Sequence, residues 1–102
     1  MVDDVQSSLI EDLKRRDRSA WSAAIDRHSH ELYGFVFHLV GADRAVAEDL
    51  NQEIWLEAMD GINQCHAARG SFRNWLFGIA RNRVALYYRR HASSGEPKSF
   101  ND

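Results

Sequence analysis

Ser71-Phe72-Arg73-Asn74-Trp75-Leu76-Phe77-Gly78-Ile79-Ala80-Arg81-Asn82 sets large apolar side chains at helical spacing with guanidinium groups between them. At about 100° per residue, Phe72, Trp75, Leu76, Ile79 and Leu86 gather in one stripe with Tyr87 beside them, which predicts the inward face of a helix over 71–91. Arg73, Phe77, Arg81 and Tyr88 project from the rest of the circumference, with Asn74 and Arg89 at its margins. Residues 69–92 carry 6 arginines and no acid, whereas a helix that is only soluble mixes signs for i,i+4 support. Arginines hold phosphates and exposed rings stack on unpaired bases, so this face suits single-stranded nucleic acid. A second reading stays open, in which Phe77 and Tyr88 pack beneath a neighbouring helix and the arginines are simply solvated.

Working outward from this helix, the rest of the chain also reads as helical, because Ala, Leu, Glu and Arg dominate its periodic stretches. Ser8-Leu9-Ile10-Glu11 has capping-box spacing and predicts a short helix over about 8–16, with Leu9, Ile10 and Leu13 inward. A second helix, over 18–40, keeps Trp21, Ala24, Ile25, Leu32, Phe35, Val36 and Leu39 on one stripe and ends at Gly41. Asp43 caps a third helix over 43–60, whose inward residues are Val46, Ala47, Leu50, Ile54 and Ala58, and Gly61 ends it. Residues 62–70 lack helical period and read as a loop, and 93–102 as a linker or disordered tail. The expectation is an all-α cluster of about four helices forming one domain over residues 1–92.

Length and composition agree: 102 residues, 44% of them hydrophobic, make one compact core. The formal charge of −2 hides a segregation. Residues 1–68 hold 6 Lys+Arg against 13 Asp+Glu, a balance of −7, whereas residues 69–92 stand at +6. One end attracts phosphates and the other a basic protein, so two partners are expected. Cys65 is the single cysteine, which excludes an internal disulfide and points to a reducing, cytoplasmic setting. The acidic start Met1-Val2-Asp3-Asp4 is unlike a signal peptide, and no apolar run approaches the ~20 residues of a membrane span.

The third helix presents Glu48, Asp49, Gln52, Leu56 and Met59 outward, with Trp55 beside them. A basic, partly apolar partner helix would bury Leu56 and Met59 inside an acidic rim. Alternatively, Trp55, Leu56 and Met59 are sandwiched between the other helices. No metal centre is expected. His28 and His30 lie two apart on a helix and cannot converge on one ion, while Cys65 and His66 have no second donor pair. His28 reads as a core-edge histidine and Cys65 as a loop cysteine near DNA. No motif ties a nucleophile to a base and an oxyanion site, so neither an enzyme nor a cofactor is expected.

Ala47-Glu48-Asp49-Leu50-Asn51-Gln52-Glu53-Ile54-Trp55, followed after a short loop by the run from Ser71 to Asn82, resembles the two signature stretches of extracytoplasmic-function sigma factors, over roughly residues 17–91. The resemblance implies a region 2 domain whose acidic helix docks on the clamp helices of the largest RNA polymerase subunit. Asp43, Glu48, Asp49, Gln52, Glu53, Leu56 and Met59 are the residues expected there. It implies further that the loop and the start of the fourth helix recognise and melt the minus-ten promoter element and hold its non-template strand. Asn63, Gln64, His66, Arg69, Ser71, Phe72, Arg73, Asn74, Phe77, Arg81, Asn82, Tyr88 and Arg89 are the DNA-contacting positions on this view, and Trp75 belongs to the core. An anti-sigma factor is a further partner the resemblance admits.

Two departures stand out. The chain has no room for the second, helix-turn-helix domain such factors carry, and so reads as a fragment or a stand-alone region 2. Gly78 replaces a larger residue at a helix cost of about 1 kcal/mol, which predicts a close backbone approach there. Two rival functions remain, a helix-turn-helix reader of duplex DNA and a protein-interaction module that leaves the arginines idle.

Overall fold

The computed structural model describes the backbone of residues 4–93 and the side chains of 5–91. The expected tail over 93–102 lies almost wholly outside the described residues. Four α-helices run in order: α1 (Asp4–Lys14), α2 (Arg18–Leu39), α3 (Arg44–Gly61) and α4 (Phe72–Ser93). Two short 3₁₀ turns, Ile62–Gln64 and Ala67–Arg69, replace the featureless loop expected between α3 and α4. The described residues form an all-α domain.

Caps fix the helix boundaries. The Asp17 carboxylate accepts from the Ser19 backbone N–H at 3.1 Å, and Asp43 accepts from that of Val46 at 3.2 Å. Each satisfies a donor that the first helical turn leaves without a partner. Ser71 does the same for α4, its hydroxyl accepting from the Asn74 N–H at 3.1 Å. Helix α1 begins earlier than the capping-box pattern predicts, so Ser8 lies inside it and caps nothing. That helix ends in a Schellman turn: Arg16 takes φ 63°, and the Asp17 N–H reaches back to the Asp12 carbonyl at 3.2 Å.

The core is drawn from all four helices: Ile10 and Leu13, then Leu32 and Val36, then Leu50 and Ile54, then Phe72 and Leu76. Buried Trp21 donates its indole N–H to the Leu13 carbonyl at 3.0 Å, which fastens α1 to α2. Phe72 is fully buried, with Trp21 edge-on at 6.1 Å and Trp75 tilted at 6.0 Å. Helix α4 packs on both α2 and α3, so its buried arc is wider than one stripe and takes in Phe77, Ala80 and Val84. Leu86 and Trp75 are half-buried at its edges. No other backbone crowds Gly78, for an added Cβ would meet only the Arg81 guanidinium at 3.9 Å. The close approach expected at this glycine does not occur.

Arg83 bridges α4 to α3, donating to Glu57 at 2.7 Å and to Glu53 at 3.1 Å. His28, 7% exposed, lies with its ring centroid 5.8 Å from that of Phe72. Burial, and then the nearby Arg27, hold its pKa below the ordinary imidazole value, against a smaller upward pull from Glu31. The fold thus prefers neutral His28, and the unfolded chain takes up the proton first. Its stabilising contribution is complete above the unfolded value of about 6.5 and is lost as pH falls through the lower folded value. Melting curves between about pH 7.5 and about pH 5 should show a falling Tm. His28→Gln should flatten that fall, and an unchanged slope would assign it to other groups.

Candidate functional site

The segment between α3 and α4 is held from beneath. Ile62 and Cys65 are buried, the Cys65 N–H closes on the Ile62 carbonyl at 2.9 Å, and the Phe72 N–H donates to the Gln6 side chain from α1 at 3.0 Å. With these anchors inside, Asn63, Gln64, His66 and Arg69 are left exposed. Gly70, at φ 136°, then turns the chain into α4 through a conformation that favours glycine. Gln64, His66, Arg69, Gly70, Ser71, Asn74 and Trp75 together line a cleft of ≈ 400 Å³. Amide, imidazole, guanidinium and hydroxyl groups thus meet one half-buried indole. Five of the positions expected to contact DNA converge here, while Asn63 lies outside the lining.

Cys65 corrects an expectation. Its side chain is 1% exposed and burial pushes its thiol up, so it is an anchor of the turn and not a surface cysteine near a ligand. His66, the next residue, is exposed.

A second cleft, ≈ 440 Å³, opens between α2 and α4 and is lined by Glu31, Phe35, Arg73, Asn74, Phe77 and Arg81. The aromatic part of the expected face fails here. Phe77 is 5% exposed because α2 delivers Phe35 against it, the rings meeting edge-on at 5.2 Å. Phe72 is fully buried and likewise cannot present its ring to DNA. Tyr88 is half-buried, its hydroxyl donating to the Leu39 carbonyl at the end of α2 at 2.6 Å. The reading in which Phe77 and Tyr88 pack against a neighbouring helix is therefore the observed one, and Trp75 is the ring that lines the loop cleft.

The charged part persists in reduced form. Arg73 is paired with Glu31, which holds the Glu31 carboxyl below the usual carboxylate range, chiefly through their hydrogen bonds. Arg83 is spent on Glu53 and Glu57. Arg69, in the second 3₁₀ turn, and Arg81, on α4, are exposed and form no ion pair among the described residues, and Asn82 and Arg89 of α4 are exposed too. Sequence counting missed the pairings because the acids come from α2 and α3, 42 and 26 to 30 residues away.

On α3, Glu48, Asp49 and Gln52 are exposed, and Leu56 is 62% exposed. An apolar cleft of ≈ 470 Å³ runs beside them, lined by Ile25, Ser29, Tyr33, Asn51, Gln52, Trp55 and Leu56. Met59 and Trp55 are half-buried against the core, so only Leu56 stands clear as expected. Glu53 faces out but shares its carboxylate with Arg83, and Asp43 is engaged as the α3 cap.

A family model for Sigma-70 region 2 matches residues 24–94, which contain most of α2 and all of α3, the turn segment and α4. The chain belongs to the Sigma-70 region 2 family. The region 2 domain is also 32% identical over 81 residues to the ECF RNA polymerase sigma factor BldN of Streptomyces coelicolor, a match covering 79% of this chain and 30% of that protein. The chain thus spans about a third of the length of that relative. The resemblance to extracytoplasmic-function sigma factors read from the two motifs is supported by both comparisons. Among the described residues, no helix of the domain is long and apolar enough to cross a membrane.

Proposed function

We propose that this region 2 domain serves transcription initiation by docking on core RNA polymerase and taking hold of a separated promoter strand. The observation that carries the reading is the loop cleft, where polar side chains from two 3₁₀ turns and the first turn of α4 surround the Trp75 indole. Such a site offers hydrogen-bonding partners for the edge of an unpaired base and a ring for its face, a combination useful only once the duplex has opened. Exposed Arg69 and Arg81 would track the adjoining phosphates. On α3, the ridge of Glu48, Asp49, Gln52 and Leu56 beside its apolar cleft suits a basic helical partner, the clamp helices on this reading. An anti-sigma factor would act by covering one of these two surfaces.

Asp49→Arg tests the division of labour. The reversed charge should weaken capture of core polymerase by about tenfold or more, while forked-DNA binding by the domain itself stays near its original value. Capture measured at rising salt should converge toward the unmodified domain as the acidic ridge is screened. Equal loss of both activities, with circular dichroism still helical, would count against two separate surfaces. A preference for fully paired over forked DNA would favour a helix-turn-helix reader of duplex instead.

A further inference from the structure

The second cleft holds a guanidinium whose surroundings restrict how it can meet a ligand. Arg73 donates from Nε to Glu31 Oε1 at 3.2 Å and from Nη2 to Glu31 Oε2. Its Cζ lies 4.4 Å from the centroid of the Phe77 ring, and that ring is wedged against Phe35. One edge of the guanidinium is therefore taken by a carboxylate and one face by an aromatic ring. A guanidinium has five N–H groups in a fixed fork. Two are spent on Glu31, and the edge carrying Nη1 has no hydrogen bond among the described residues. The side chain is 44% exposed and lines the cleft shared with Asn74 and Arg81.

Charge and direction separate at such a site. An unpaired arginine attracts any phosphate and contributes affinity without sequence information. With a carboxylate bound edge-on, the long-range attraction of Arg73 is cancelled, while its remaining donors keep both strength and orientation. We infer that Glu31 is a specificity-determining positioning residue: it cancels the charge of Arg73 and fixes its plane, making Arg73 a reader of one unpaired base and not a phosphate anchor. This rests on the proposal that the domain holds a separated strand.

The base is constrained by chemistry. Two parallel donors call for two adjacent acceptors, which guanine presents at O6 and N7 and unpaired cytosine at N3 and O2. Adenine N7 neighbours an amino donor, and the thymine carbonyls flank an N–H, so neither matches. Arg81, in the same cleft and without a carboxylate partner among the described residues, keeps the phosphate role.

The test uses the full chain assembled with core RNA polymerase on fork-junction DNA, with each unpaired non-template position varied through all four bases. At one position the unmodified protein should prefer guanine or cytosine by about tenfold, the scale of one bidentate contact. Glu31→Gln should reduce that preference to about twofold or less, raise affinity for a scrambled strand, and steepen the salt dependence by about 0.7 in log–log slope. Arg73→Lys keeps the charge pairing but loses the fork, so the preference should vanish with the slope unchanged. A Glu31→Gln protein that keeps both the base preference and the slope overturns the inference, as does an unmodified protein that prefers no base. Should Glu31→Gln melt below the assay temperature, Arg73→Lys decides by the same preference. If the unmodified complex binds forked DNA no better than duplex, the proposed function itself fails, and the two failures are thereby distinguished.

Discussion

Phe72→Ala should destabilise the domain by about 3–5 kcal/mol, the range for removing a fully buried phenyl ring and leaving a cavity. Small domains hold only about 5–15 kcal/mol in all, so this substitution alone brings the fold close to its limit. The environment gives the reason. Phe72 is completely buried among Trp21, His28 and Trp75, and its backbone N–H is tied to Gln6 of α1. Denaturant unfolding monitored by tryptophan fluorescence measures the effect directly. A loss under about 0.5 kcal/mol, the scale of surface substitutions, combined with loss of DNA binding, would return Phe72 to the ligand surface. The prediction separates a residue conspicuous in the sequence motif from a residue that touches a partner.

Arg81→Glu should abolish promoter opening while leaving capture of core polymerase nearly intact. Arg81 is exposed, lines the cleft between α2 and α4, and has no ion-pair partner among the described residues, so it supplies attraction that Arg73 and Arg83 have already spent on acids. On the proposed function, reversing its charge replaces attraction by repulsion toward the strand's phosphates, and forked-DNA affinity should fall by about tenfold or more at low salt. The loss should be similar for every strand sequence, and the salt dependence should flatten by about 0.7 per lost phosphate contact. Titration of labelled fork DNA at several salt concentrations, alongside core capture, provides the readout. A sequence-selective loss would make Arg81 a reader of bases and shift the phosphate role elsewhere on α4.

Much of the fold was legible because it depends on local rules. Asp17, Asp43 and Ser71 cap as their residue types dictate, and Gly41 sits at φ 70° where α2 turns off. The stripes of α2 and α3 were found from period alone except at Leu39, which is 39% exposed at the end of α2, and the family was found from two motifs whose order and spacing carry it. Helix α1 was started too late, since Ser8-Leu9-Ile10-Glu11 has capping spacing but the helix already begins at Asp4. Five of the residues lining the loop cleft were named from the sequence, but Gly70 and Trp75 were not, the latter because a ring on the apolar stripe can still expose one edge where its helix begins.

Which helix faces are free could not be read locally. Phe77 lies off the Phe72-Leu76-Ile79 stripe and looks exposed on an isolated helix, yet α2 brings Phe35 to cover it. Counting charge along the chain placed six positive residues in one segment, whereas packing pairs Arg73 with Glu31 and Arg83 with Glu53 and Glu57. By itself, then, the sequence determined the existence of the four helices, the Asp43 cap of α3, the family and the positive sign of the α4 surface, all of which follow from neighbours within a turn or from motif spacing. Tertiary structure decided which of those side chains are left for a partner. Burial and ion pairing depend on residues brought together from 26 to 42 positions away, and no periodicity within one helix records them.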